Sequence, residues 1–317
     1  QKVSESLGVP ARLYGSADQA VYTLAVAGGA YSEGFEEALE AGVTTVATGP
    51  GSANVVGGQF VAMKTTPGPV ESRLLVEPLA LKTAFGENPK RCYGSMKQTP
   101  STRMATAAIF RQAMIDGLTY AQKLEIEDES KRPERNLRKE MLALAAAGKL
   151  LVKAHAHRAD DILTAIRLRD EFHLRMTIEH CTEGYMIAGE LKRAGIPVIL
   201  GPLLSERSKI ELRNLTFKAP ATLYKAGVRF ALMTDHPVIP LQYLVLSASL
   251  AVREGLPERE ALLCVTRNAA WTIGLEDRLG SLEPGKDADF ALYDGHPLDA
   301  RYTARQVYVG GELVSER

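Results

Sequence analysis

The sequence has no apolar run of bilayer length: its longest charge-free apolar stretch, near Tyr243 to Val252, falls far short of the roughly 18 to 20 residues that cross a membrane. No membrane span is expected. Cysteine is scarce, with Cys92, Cys181 and Cys264 far apart in the chain. That excludes a disulfide framework and points to a reducing compartment, the cytoplasm. Neither sign of charge is in excess, because 38 basic side chains face 38 acidic ones. No broad field is left to gather nucleic acid or anionic lipid, so neither is expected as a partner. From Gln1 onward no basic stretch leads into an apolar run, and no export signal is read.

What is present is an ordinary globular composition, 45% hydrophobic over 317 residues. At this length about three quarters of the unfolded surface can be buried, enough for one large domain and a small appendage without staples. From Val43 onward, short β-branched runs alternate with longer helical patterns, the mark of parallel strands joined by crossover helices in an α/β fold. Candidate strands are Val43–Thr48, Phe60–Thr65, Pro78–Phe85, Leu150–His155, Arg175–His180, Ile196–Gly201 and Val228–Thr234. Their almost unbroken apolar character suits strands covered on both faces. Ala20–Ala27, followed by a helical pattern over Tyr31–Ala41, offers an eighth, and eight strand–helix units would close a (β/α)8 TIM barrel.

Helices are expected over Asp160–Glu171 and Thr182–Ala194 from their apolar spacing. Gly86–Gly148, with helical patterns at Thr102–Gln122 and Pro133–Ala147, reads as an inserted lid-like excursion or a solvated spacer. After the helix ending at Asn268–Gly274, the run GSLEPGKDADF is turn-rich, with Gly285 placed for a type II turn, and feeds two short strands. The expected division is an N-terminal segment 1–30 (a first strand or sandwich part), a barrel 31–275 and a small β-sandwich element 276–317.

Four of only six histidines end candidate strands: His155 and His157, His180, and His236 after Asp235. In a parallel barrel the C-terminal strand ends form the face where active sites are built. Taken singly, a strand-end histidine is more often a hydrogen-bonded structural residue; three strand ends in agreement shift that balance. Neutral imidazoles with a carboxylate suit a catalytic Zn²⁺, and His155, His180 and Asp235 fit that set. Asp235 could then take a proton from water and return it to a leaving nitrogen.

Lys82 lies inside the apolar strand LALKTAFG, where it needs a buried partner or must snorkel to water at the strand edge. GPGSANVVGG follows a strand but lacks the G-K-[ST] ending of a phosphate loop, and reads as a flexible active-site loop. Ser205 and Ser208 have no His–Asp pair spaced to activate them. Arg207 and Lys209 could bind a substrate carboxylate or lie on a solvated loop. Cys181 reads as a small buried residue beside a ligand.

The runs EALEAGVTTVATGPGS, ALKTAFGENPKR, VKAHAHRADDILTA, IEHCTEGY, ALMTDHPVIP and GSLEPGKDADFALYDGHP, in this order, resemble the amidohydrolase superfamily, particularly its imidazolonepropionase-like and Xaa-Pro dipeptidase-like members. The likeness extends from about Tyr31 to Val314. It implies a metal-dependent (β/α)8 hydrolase with a small β-sandwich built from both chain ends. His155, His180 and Asp235 would be metal ligands, and Lys82 would match the lysine that is carboxylated to bridge two metals in binuclear members. His157 would face the substrate in a catalytic role, with Arg158 and His236 near the rim.

One departure stands out. The family's His-x-His pair at its first strand has no counterpart, since no histidine precedes His155. A chain end cut short or mistraced, lost ligands, or a site using the remaining set would each account for it. The expectation is a divalent metal, zinc first, as one ion or two. Metal-bound hydroxide would cleave a C–N bond in a small cyclic or acyl amide or a dipeptide. A metal-poor barrel serving as a small-molecule binding or scaffold protein is the alternative, and barrels of this type often pair into homo-oligomers.

Overall fold

The computed structural model describes residues 35–317 and the short strand Thr23–Val26. The expectations placed on the rest of the first thirty residues lie outside these. Eight strands form one sheet in chain order: β1 (Thr23–Val26), β2 (Val43–Thr48), β3 (Val56–Lys64), β4 (Leu74–Ala84), β5 (Leu151–Ala156), β6 (Met176–His180), β7 (Val198–Leu200) and β8 (Phe230–Leu232). Pairing is parallel between β1 and β2 and from β4 to β8.

The uniformly parallel sheet expected from the sequence is corrected at one place, where β3 runs antiparallel to both β2 and β4. The reason lies in the connections. A parallel return needs a crossover of a dozen or more residues, usually a helix. Only the loop 49–55 joins β2 to β3, and only 65–73, with the short helix Val70–Arg73, joins β3 to β4. The chain therefore folds back twice between β2 and β4, after the helix Phe35–Glu40 and before the crossover helices that follow β4. No β8–β1 pairing is found among the described residues; the helix Arg267–Thr272 packs on β1, β7 and β8.

Side-chain alternation sorts each parallel strand into two cores. In β5, Val152, Ala154 and Ala156 face the helices, where they pack with Ile162, Ala165 and Leu168 of the helix Ala159–Phe172. Leu151 faces the opposite side, with Phe60, Ala80, Ile199, Ala231 and Met233. Lys153 and His155 share the parity of Leu151, so this inner face turns from apolar to polar toward the C-terminal strand ends.

The lid-like reading of Gly86–Gly148 is corrected as well. The helix Arg103–Leu124 buries Thr106, Phe110, Ala113, Met114, Gly117 and Tyr120 at three- and four-residue spacing, one face of a helix. Phe110 and Met114 join the main core together with Leu142 and Ala145 of the helix Leu137–Ala146. Gly117 lets the two helices close, because a Cβ there would stand 2.6 Å from the Leu142 carbonyl carbon. No helix of the described residues is long and apolar enough to cross a membrane.

A second, antiparallel sheet has the order β11 (Glu312–Glu316), β10 (Ala304–Val309), β9 (Phe290–Tyr293). Gly285, with φ at 94°, takes the left-handed turn expected of it. Leu39 of the helix Phe35–Glu40 packs against Ala291, Ala304 and Val307 of this sheet. The GKDADF run ties it to the main sheet: Lys64 at the end of β3 pairs with Asp289, and with Asp287 at 2.9 Å. Asp289 also accepts the Gly310 N–H at 2.9 Å. Replacing Asp289 by Ala leaves the buried Lys64 with Asp287 alone and frees the Gly310 N–H, and should lower the unfolding free energy by about 1 to 3 kcal/mol in urea denaturation; an unchanged midpoint would mean that this tie carries no stability.

Candidate metal and catalytic site

His155 ends the inner face of β5, and His157 lies two residues on, beyond the strand end. His180 ends β6 and is paired in register with Ala156. Strict alternation would aim His180 toward the helices with Ile178. Instead its φ is 70° and that of Cys181 is 51°, a left-handed pair that turns the imidazole inward. The ring is fixed by Nδ1–H, which donates to the Gly201 carbonyl at 2.9 Å. That bond leaves Nε2 with its lone pair, the arrangement of a ligand held by an outer carbonyl. Gly201 itself has φ of 138°, and a Cβ there would meet the Met233 carbonyl oxygen at 2.2 Å.

The three imidazoles form one cluster. Ring centroids are 4.3 Å apart for His155 and His180, 4.4 Å for His157 and His180, and 4.8 Å for His155 and His157. One nitrogen of each lies within 4.8 Å of the others, and all three residues are buried. Burial lowers the pKa of His155 from 6.5 to about 4, with Lys82 and Lys209 adding to the shift against the pull of Glu211. His157 and His180 lie well below the usual histidine value, through burial first and then the other histidines. The rings are therefore neutral and present lone pairs. His155 Nδ1 is buried with no hydrogen-bond partner among the described residues. Three neutral imidazoles, one with an orphaned nitrogen, fit a divalent ion such as zinc.

Below the cluster lies a buried charge group of which only Lys82 belongs to the expected site. Glu179, fully buried in β6, is ion-paired with Lys82 of β4, and with Lys153 of β5 at 2.8 Å. Burial would raise the Glu179 pKa, but Lys153 and Lys82 pull it down to about 2. Both ammonium groups also lie over the Phe60 ring, at 5.1 and 5.5 Å from its centroid. Lys82 is thus an internal cation with a partner, and the snorkelling alternative falls away.

Above the cluster, Glu211 and Lys209 arrive on the loop after β7. Glu211 Oε1 lies 3.6 Å from His157 Nε2 and 3.9 Å from His155 Nε2. Burial works to raise its pKa, but His155, His157 and Lys209 hold it well below the usual carboxylate range. Asn88 Nδ2 lies 3.3 Å from His155 Nε2 and donates to Ser52 Oγ at 2.7 Å, so the glycine-rich loop lies beside the site.

The other expected residues are placed as follows. Asp235, after β8, is not in the three-nitrogen group; its φ is 54°, and burial raises its pKa to about 7, with Lys82 and Lys209 pulling it back and Glu179 adding to it. His236 follows Asp235 and is likewise outside that group. Arg158 pairs with Asp160 at 2.9 Å, at the start of the helix Ala159–Phe172. Arg207 donates to the Leu215 carbonyl at 2.8 Å, bracing its own loop. Ser205 Oγ donates to the Glu206 carbonyl. Burial pushes the Cys181 thiol up to about 12, which excludes a thiolate there.

Lys153 and Glu179 carried a signal in the sequence: both are charges within apolar strand runs, and Lys153 shares the parity of His155. Asn88, in the helix Glu87–Ser95, and Glu211, in the single turn Ile210–Leu212, offered none.

Two outcomes follow from this geometry. Gly201→Ala should cost more than about 2 kcal/mol in urea denaturation, because its Cβ has no room and the His180 acceptor must move. With His155 at about 4 against 6.5, the unfolded chain takes up protons first as pH falls. Stability of the metal-free protein should therefore be whole above roughly pH 6.5 and decline toward pH 4 in denaturation midpoints; a flat profile would contradict neutral, buried imidazoles.

Residues 120–315, which include the three histidines, Lys209, Glu211 and Asp235, match the family model described as the amidohydrolase family. The chain is 30% identical over 295 residues to the amidohydrolase tasK of Hapsidospora irregularis, covering 85% of this chain and 30% of that protein. It is 35% identical over 192 residues to the imidazolonepropionase of Maricaulis maris, covering 59% of this chain and 45% of that enzyme. The chain thus spans less than half the length of either relative. The crystal structure of an amidohydrolase from Thermotoga maritima MSB8 superposes with a TM-score of 0.87 at 47% identity, covering 90% of this chain and 75% of that one. By family match and by structure, the chain belongs to the amidohydrolase family.

Proposed function

We propose that the protein is a metal-dependent hydrolase of a C–N bond in a small cyclic amide, acyl amide or dipeptide. The observation that carries this is the cluster of three neutral, buried imidazoles at two neighbouring strand ends. His155, His157 and His180 would hold a divalent ion, with zinc the first choice for nitrogen donors. Such an ion, when bound, polarises a carbonyl and lowers the pKa of water.

The remaining chemistry belongs to the chain. Asp235, its pKa raised to about 7 chiefly by burial, suits a group that takes a proton from water at a carboxylate oxygen and returns it to the leaving nitrogen. The charged Glu179–lysine group beneath fixes the floor of the site, and Asn88 and Glu211 orient its upper side. Likeness to an imidazolonepropionase supports a ring amide among the substrate classes. We read β2 to β8, within 31–275, as the described part of a (β/α)8-type barrel that β1 would extend, with 276–317 as its β appendage; the TM-score of 0.87 supports that fold. Cys92, Cys181 and Cys264 are unpaired, in keeping with the cytoplasm.

Metal analysis after reconstitution with Zn²⁺ should find about one tightly held ion per chain. None at all would overturn this reading in favour of a metal-poor binding protein. His180→Ala should lower both metal content and turnover of imidazolone and dipeptide substrates; unchanged content would remove it from the ligand set. Asp235→Asn should keep the fold while reducing kcat by about 10²- to 10⁴-fold, and an active variant would exclude its proton transfer.

A further inference from the structure

The loop after β7 carries a cation of its own into the histidine cluster. Lys209 Nζ lies 2.6 Å from Glu211 Oε1, donates to Asn88 Oδ1 at 3.0 Å, and lies 3.5 Å from His157 Nε2. The ammonium is thus ion-paired to Glu211, hydrogen-bonded to Asn88 and set against His157. Two of these three partners, a carboxylate and a neutral imidazole nitrogen, are groups that a divalent ion would also take.

Glu211 is built to face the cluster. It is fully buried, and its second oxygen, Oε2, accepts the Glu87 N–H at 3.0 Å. Gly86 beside it has φ of 84°, and a Cβ there would press on Glu211 Oε2 at 3.0 Å and Asp161 Oδ2 at 2.8 Å. The glycine therefore leaves the space that this carboxylate fills. Buried carboxylates need a counter-charge. Lys209 supplies it, and unlike Glu211 it is partly open to solvent, on a four-carbon stem that can swing outward.

We propose that Lys209 is an internal stand-in cation. Its ammonium neutralises Glu211 and caps His157 while no ion is bound, and it is displaced when a divalent ion takes those groups, which makes Glu211 a ligand beside the three histidines. This rests on the metal reading above and adds a residue and an exchange to it. The single lone pair of His157 Nε2 cannot serve both, and two cations crowded onto Glu211 Oε1 repel, so the lysine and the ion compete, and the protein's affinity for metal is set below what its donors alone would give.

The test is zinc affinity, read by competition with a chromophoric chelator, for the wild-type chain, Lys209→Met and Glu211→Gln. Lys209→Met should bind Zn²⁺ about tenfold more tightly, since the competitor is gone. Glu211→Gln should bind about tenfold more weakly, since a ligand is lost. In the wild-type protein, amine-specific labelling followed by mass spectrometry should show Lys209 reacting several-fold faster once Zn²⁺ is saturating, with exposed Lys149 as the internal reference. The labelling decides the matter if Lys209→Met does not fold. A wild-type chain that binds zinc with Lys209 labelling unchanged, or a folded Lys209→Met with no gain in affinity, overturns the exchange and leaves the metal site standing. A wild-type chain that binds no zinc overturns both.

Discussion

The site rests on one buried carboxylate. Glu179 gathers Lys82 and Lys153, which are register partners on neighbouring strands and would repel each other inside the protein without it. With it, both lysines are held by one carboxylate, although burial still lowers the Lys153 pKa. Lys82 adds to burial in holding His155 and His180 unprotonated. Donor character above is thus partly set by charge below. Beyond the rings, the buried carboxylate of Glu211 is the negative charge that faces them.

Backbone geometry does the aiming. His180, Cys181 and Asp235 all hold positive φ without being glycine, and each lies where a strand gives way to its loop. Such residues persist only where their surroundings over-determine them. Here the surroundings are visible: Gly201 fits under the Met233 carbonyl, and its own carbonyl then stands where His180 needs an acceptor. Two strand ends are locked to each other through one imidazole.

Much of this was legible in the sequence. The strands could be read because those covered on both faces are nearly continuous apolar runs, and β5 and β6 are buried along their whole length. His155 and His180 could be read as strand-end residues. The direction of β3 could not be read from its composition, since apolar runs look alike either way; only the short connections carried that information. The helix Arg103–Leu124 misled because its buried stripe is narrow and includes Thr106 and Gly117, which do not look like core. Asn88 follows β4 while Lys209 and Glu211 follow β7, and they become neighbours only when these strand ends are brought to one edge, which no local pattern encodes. Lys153 and Glu179 were accessible by parity alone, and a charge in an apolar strand is the cue to look for its opposite on the next one.

The tie between Lys64 and Asp289 also bears on how the chain is made. Its two ends are 225 residues apart, and the Gly310 N–H that secures Asp289 comes later still. As the polypeptide leaves the ribosome, β3 emerges with a lysine whose counter-charge has not yet been synthesised. The central strands and their crossover helices can assemble during that interval, but the inverted strand keeps an uncompensated charge until Asp289 has been made. Docking of the small sheet on β3 therefore comes after synthesis of the central strands.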